Sequence, residues 1–213
     1  HASAENYSGE GSNGGTTNGA GTIYLKDKAK VRADLIVDNE GITVSEGSTS
    51  LRTPERGKIA VIASDSLVVT GGNWTPGEFA GMKVNPNVNQ NRSFTIRDNT
   101  ADTLFIDPAE GSMTEVAAVG DTFTGVIELN SLRVSGGAGL SVTGRLDVAT
   151  DIVVDYSTLI ATDISANNLI VSEYGMVSHP PATATADYSL TVNAVTGISI
   201  SDSSGIDASG RGY

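Results

Sequence analysis

Short apolar triplets, each closed by Gly, Asn, Asp or Ser, recur from Gly21 onward. They read Ile23-Tyr24-Leu25, Leu35-Ile36-Val37, Ile42-Thr43-Val44, Ile59-Ala60-Val61 and Leu67-Val68-Val69. β-Branched residues dominate them and no 3.6-residue period runs through them, so the pattern predicts strands rather than helices. The best helix candidate, 115–119, is one turn long. In the last third the triplets begin at Leu132, Leu140, Leu146, Ile152, Leu159, Ile164, Leu169, Met176, Leu190, Ile198 and Ile206. That spacing is too tight for hairpins built from strands of ordinary length. Taking every third triplet aligns Leu132, Ile152, Leu169 and Leu190, and in a second register Leu140, Leu159, Met176 and Ile198. A return every ~20 residues is the length scale of a solenoid coil.

The predicted fold is therefore all-β: a right-handed parallel β-helix over 21–72 and 125–213. Within the triplets inward aliphatics alternate with outward polar residues, as in Leu132-Arg133-Val134, Leu146-Asp147-Val148 and Leu190-Thr191-Val192. Corners need positive φ, which Gly and Asn adopt at little cost. The corner candidates are Gly136, Gly139, Gly144, Asn167, Asn168, Gly175, Gly197 and Gly205. An antiparallel β-sandwich, also built of short strands, is the competing architecture.

The rhythm breaks over 73–124, predicted to be a small inserted β module. It holds the only Trp (Trp74), together with Phe79, Phe94 and Phe123 and Pro76, Pro86 and Pro108. Ser93-Phe94-Thr95-Ile96-Arg97 and Thr103-Leu104-Phe105-Ile106-Asp107 read as a hairpin with a five-residue loop. Trp74 and the Phe residues are expected to form the module's own small core. An exposed glycan-stacking platform of Trp74 and Phe79 is the functional alternative. The segment 1–20 is rich in Gly, Asn, Ser and Thr, and is predicted to be a flexible arm.

Composition narrows the chemistry. The 213 residues contain no Cys, which removes disulfides, zinc fingers and a thiol nucleophile. The two His residues, His1 and His179, are too few for most His-based metal sites or a Ser-His-Asp triad. A net charge of −12 argues against sequence-independent nucleic-acid binding, which needs a basic face. No apolar run reaches the ~18 residues of a membrane-spanning helix, so membrane insertion is not expected. No charged-then-apolar leader opens the chain at His1, and the expectation is a processed chain or an excised segment.

A series of short phrases resembles very large repetitive bacterial surface proteins. They are Gly19-Ala20-Gly21-Thr22-Ile23-Tyr24-Leu25, Trp74-Thr75-Pro76, Phe94-Thr95-Ile96 with Asn99-Thr100, Gly120-Asp121-Thr122-Phe123, Leu132-Arg133-Val134-Ser135-Gly136-Gly137-Ala138, and Ile206-Asp207-Ala208-Ser209-Gly210-Arg211-Gly212-Tyr213. In those proteins a β-helical unit with such an insert recurs along the chain. The resemblance implies an extracellular or cell-surface structural or adhesive role, and it transfers no catalytic residues. It also implies that one copy's Gly-Arg-Gly-Tyr end leads into the Gly-rich start of the next. Tyr24, Arg211 and Tyr213 are then the expected assembly residues, and the expected partners are further copies end to end and surface glycans.

The remaining candidates are weaker. Asp98, Asp102, Asp107 and Asp121, with Glu110, crowd the insert, and oxygen-rich loops suit calcium. Their spacing matches neither an EF-hand nor a nonapeptide calcium repeat, and carboxylates in turns also serve as solvated caps. No other cofactor is expected. Asp147, Asp151, Asp155 and Asp163 lie along the last coils, and parallel β-helices can host glycan lyases and hydrolases, which use paired carboxylates or a basic residue in a groove. A carbohydrate-active or glycan-binding β-helix is thus the alternative to a non-enzymatic structural unit. Arg52, Arg56 and Lys58 around Pro54 read as a solvated loop, and His179-Pro180-Pro181 as a stiff turn with His179 exposed.

Overall fold

A computed structural model describes residues 21–42, 48–182 and 188–211. The predicted arm over 1–20 and Tyr213 lie outside the described residues. The architecture is all-β. In chain order the strands are β1 (Gly21–Leu25), β2 (Ala33–Asp38), β3 (Thr49–Leu51), β4 (Gly57–Ile62), β5 (Ser66–Val69), β6 (Lys83–Asn85), β7 (Phe94–Asn99), β8 (Thr103–Ile106) and β9 (Thr122–Ser135). They continue as β10 (Gly139–Val142), β11 (Arg145–Val148), β12 (Asp151–Asp155), β13 (Thr158–Ile160), β14 (Asp163–Ser172), β15 (Met176–Ser178), β16 (Thr191–Ile200) and β17 (Gly205–Ile206). Pro108–Glu110 and Met113–Glu115 form single 3-10 turns, and of the helix candidate 115–119 only Glu115 lies in one.

The strands form a mixed twelve-stranded sheet and a five-stranded sheet in the order β17-β15-β13-β10-β3. All pairings in the smaller sheet are parallel, and they align Leu140, Leu159, Val177 and Ile206. Part of the larger sheet is parallel too. One series runs through β2, the second half of β9, β12, and the second halves of β14 and β16. It places Leu35, Leu132, Ile152, Leu169 and Ile198 opposite one another. Another joins the first half of β9 to β11 and the first halves of β14 and β16, aligning Ile127, Leu146, Ile164 and Val192. Aliphatic thus stacks on aliphatic at strand spacing, ~4.8 Å, and the inner members of these rows form one buried cluster, while Ile198 and Ile206 at the end are exposed.

The predicted return interval holds until the last step. Thr150 bonds the Asn130 carbonyl 20 residues back, and Asn168 bonds Asp151 17 back. Thr196, however, bonds Asn167 across 29 residues. Leu169 consequently faces Ile198, not Leu190, and Val177 faces Ile206; one step earlier Leu159 already faces Val177, one position from the expected Met176. The excess comes from an excursion after β15, where Pro180 and Pro181 supply no N–H for a ladder. His179 at its start is buried rather than exposed, with Nδ1 2.8 Å from the Pro180 carbonyl oxygen.

One corner of each return takes positive φ, but glycine marks it only in part. The corner is Glu40-Gly41, then Gly136-Gly137, then Tyr156, then Glu173-Tyr174, then Ser203. Gly139, Gly175, Gly197 and Gly205 have no positive φ. Gly175 answers a different need: a Cβ there would collide with the Val154 carbonyl oxygen of the neighbouring row.

Antiparallel structure occupies the segment between β3 and β9. β4 pairs with β5, β5 with β8, β8 with β7, and β7 with β6. Ile59, Leu67, Phe79, Val84, Phe94, Ile96, Leu104, Ile106, Met113 and Phe123 form a second buried cluster. The expected boundary at Gly72 therefore falls inside one continuous antiparallel sheet. The triplets Ile59-Ala60-Val61 and Leu67-Val68-Val69 belong to that sheet, not to the parallel rows, because their cross-strand partners lie within it. The predicted hairpin of β7 and β8 is present with a bulge between Ile96 and Asp98, which draws Asp98 and Asn99 into the ladder and shortens the loop.

Polar ties brace the first row. Asp34 accepts hydrogen bonds from Asn130 Nδ2 at 2.5 Å, Ser131 Oγ at 2.7 Å and Lys30 Nζ at 3.0 Å. These donors favour the carboxylate and hold its pKa down to about 2 from 3.8. A lowered carboxylate pKa contributes stability that is present above the unfolded value and lost as pH falls through the folded one. Asp34→Asn is therefore expected to cost about 1 to 2 kcal/mol at neutral pH, allowing for partial solvent contact. In urea melts at a series of pH values, the gap from the parent should narrow below about pH 4 and close near pH 2. A gap independent of pH would refute this account.

Candidate functional site

The two ends of the parallel series are apolar and open. Among the described residues β1 pairs only with β2, antiparallel, and each of its residues is exposed. Tyr24, 63% exposed, stands opposite Leu35 and so on the core side of the sheet. At the opposite end β16 pairs only with β14, and its other edge has no strand partner among the described residues. Its sequence, TVNAVTGISI, carries no charge, and Val195, Ile198 and Ile200 are 79%, 48% and 45% exposed. Arg211 is half-buried and tied by its backbone: its carbonyl accepts from Ala182 N at 2.7 Å. Of the three expected assembly residues, Tyr24 lies on an open end and Arg211 anchors the chain after β17.

The calcium candidates are dispersed. Asp98 Oδ1 accepts from Asn99 N at 2.8 Å. Asp102 Oδ1 accepts from the hydroxyls of Thr100 at 3.1 Å and Thr103 at 2.9 Å. Asp107 caps the first 3-10 turn through Ala109 N at 3.0 Å. Asp121 Oδ2 accepts from Ala118 N at 2.9 Å and Asn87 Nδ2 at 3.0 Å. Each carboxylate serves its own turn, and among the described residues no three acidic or His side chains converge as a metal site.

The carboxylates of the parallel rows are drawn into cross-strand ties. Asp147 and Glu128 are register partners, and Arg32 Nη2 lies 3.2 Å from the first and 3.4 Å from the second. Lys83 Nζ approaches Glu128 at 3.9 Å from the module side. Asp151 accepts from Asn168 at 2.7 Å, and Asp155 meets Arg133 at 3.0 Å. Asp163 differs: burial raises its pKa, opposed by the charges of Arg145 and Arg56 and reinforced by Asp147.

Two clefts flank the junction between module and rows. One of 690 Å³ opens where β1, β3, β6 and β9 approach, lined by Tyr24, Arg32, Leu51, Met82, Lys83 and Glu128 among others. The other, 540 Å³, lies between the connection 52–58 and the turn after β5. Arg52, Arg56 and Lys58 line it on one side, and Thr70, Asn73 and Trp74 on the other. Trp74 is half-buried and edge-to-face with the buried Phe79 and Phe123, at 5.6 and 6.4 Å between centroids. Its rim therefore joins the small core while the residue still lines the cleft. The sequence offered the basic trio and Trp74 as separate features. The antiparallel return through β4 and β5 brings them together, and only the positions of Pro54 and Gly71-Gly72 hinted at it.

No protein-family model, no curated protein and no solved structure matches the chain. Among the described residues no helix is long and apolar enough to cross a membrane.

Proposed function

We propose that the parallel rows wind as a right-handed β-helix and that the chain is a structural unit of an extracellular, end-to-end array or fibre. The observation that carries this reading is the uncharged free edge of β16, with Val195, Ile198 and Ile200 exposed on it. Solvent-facing edge strands normally carry charge, Pro or a bulge that blocks pairing; β16 has neither charge nor Pro, and its one register shift, between Ala194 and Gly197, leaves the stretch from Gly197 to Ile200 regular. Repeat arrays cap their ends with polar faces, and a bare end calls for a neighbour. The right hand is the one that crossover connections between parallel strands adopt.

β1 provides the complementary surface at the other end. It runs antiparallel to β2, and β2 is parallel to the rows that lead to β16. A following copy would thus offer β1 to β16 as an antiparallel partner, with Tyr24 over the end of the aliphatic stack. The extracellular setting rests on the resemblance to bacterial surface repeats, with which the Cys-free, acidic composition is compatible.

Light scattering and electron microscopy of the purified chain test the reading. The expected result is concentration-dependent end-to-end particles or filaments. A double variant, Ile198→Lys with Ile200→Lys, should abolish them while leaving the monomer folded by circular dichroism. A chain that stays monomeric at all concentrations, or particles indifferent to the lysines, would overturn it.

A further inference from the structure

We propose that the 540 Å³ cleft at the module junction binds an acidic polysaccharide, a chain of uronate-bearing sugars. The chain as a whole has a charge of −12 and only 13 Lys and Arg residues. Three of these cations, Arg52, Arg56 and Lys58, line this one cleft, against a single acid, Glu55. The local sign is the reverse of the molecule's. Lys58 has no carboxylate within ion-pair distance among the described residues. Arg52 reaches Glu78 at 3.3 Å but is 71% exposed, and a screened pair of that kind gives way to a ligand anion at little cost. Arg56 also acts on Asp163, whose buried carboxyl is disfavoured in its charged form.

The rest of the lining sets the class of anion. Trp74 supplies an apolar aromatic surface of the kind that packs against sugar rings, and Phe79 and Phe123 hold it in place. Thr70, Asn73 and Thr143 add neutral donors and acceptors suited to hydroxyls. A nucleic acid, with a charge every ~1.7 Å of duplex, needs a continuous basic track, and this cleft offers three cations. A uronate chain, with at most one carboxylate per ring, matches a few cations beside one aromatic residue.

The test is calorimetric titration of the full chain with three probes: an oligogalacturonate, its fully methyl-esterified form, and oligoglutamate of equal charge. The oligogalacturonate should bind, and more weakly as NaCl rises from about 0.05 to about 0.3 M. The ester and the peptide should each bind at least about tenfold less tightly, since one lacks the charge and the other the rings. Arg56→Glu with Lys58→Glu, both exposed, should weaken oligogalacturonate binding by roughly tenfold or more while the chain stays folded by circular dichroism. Trp74→Ala should do so as well, but it also loosens the core, so the charge reversal decides. Absence of oligogalacturonate binding, equal binding of ester or peptide, or indifference to the charge reversal would each overturn the proposal.

Discussion

Ile152→Ala is expected to lower the unfolding free energy by about 3 to 4 kcal/mol, the middle of the range for truncating a fully buried aliphatic. Ile152 has no solvent exposure and sits between Leu132 and Leu169 in the aliphatic row that runs from Leu35 to Ile198. Its neighbours belong to adjacent strands held by backbone ladders on both sides. The cavity therefore cannot close without breaking register, which places the cost above the simple transfer value of the lost methyl and methylene groups. Urea denaturation should show a lower midpoint with an unchanged slope. Ile198, in the same row but 48% exposed at the open end, gives the contrast. Ile198→Ala should cost less than about 1 kcal/mol in the monomer, and more in the proposed end-joined array, in which another copy would cover it. Equal losses at positions 152 and 198 in the monomer would mean that the row does not end where the strand order places its end.

The sequence carried the parallel rows because inward aliphatics repeat at nearly the offset that separates ladder partners: Leu132, Ile152 and Leu169 are partners just as their spacing predicts. It failed where identical local wording enters different surroundings. Ser66-Leu67-Val68-Val69-Thr70-Gly71-Gly72 and Ser131-Leu132-Arg133-Val134-Ser135-Gly136-Gly137 are near matches. Yet Leu67 pairs antiparallel with Leu104, while Leu132 lies parallel between Leu35 and Ile152. Both meet the demand of a half-buried strand for alternating aliphatics, and nothing within seven residues encodes the direction of the partner. The corners were legible at Gly136 and hidden at Tyr156 and Glu173, where the surrounding ladders impose a left-handed backbone on residues that do not favour it. The basic cleft was hidden for a related reason. Arg52, Arg56 and Lys58 meet Trp74 through antiparallel pairing of β4 with β5, a contact that short-range pattern does not reveal.

Gly144→Ala is expected to be the most damaging single-methyl change, at about 3 kcal/mol or more, because two separate costs fall on one residue. The chain leaves the rows at Thr53-Pro54 and re-enters them at Thr124-Gly125, and the two crossings are fastened together. Gly125 N donates to the Pro54 carbonyl at 2.9 Å, Thr53 N donates to Thr143 Oγ1 at 2.9 Å, and Thr53 Oγ1 donates to the Thr143 carbonyl. Gly144 closes this knot with φ +94°, and a Cβ there would strike Thr53 Oγ1 and lie 2.6 Å from the Gly125 carbonyl oxygen. Gly120 separates the two costs: its φ is +88°, but a Cβ there would meet nothing within 4 Å. Gly120→Ala should therefore cost only about 1 kcal/mol, the backbone share alone. The difference, about 2 kcal/mol, measures the close approach at the junction. Hydrogen exchange should locate it, with the amides of Thr53 and Gly125 losing protection in Gly144→Ala and keeping it in Gly120→Ala. Matching costs for the two variants would show that the module and the rows are not held at this crossing.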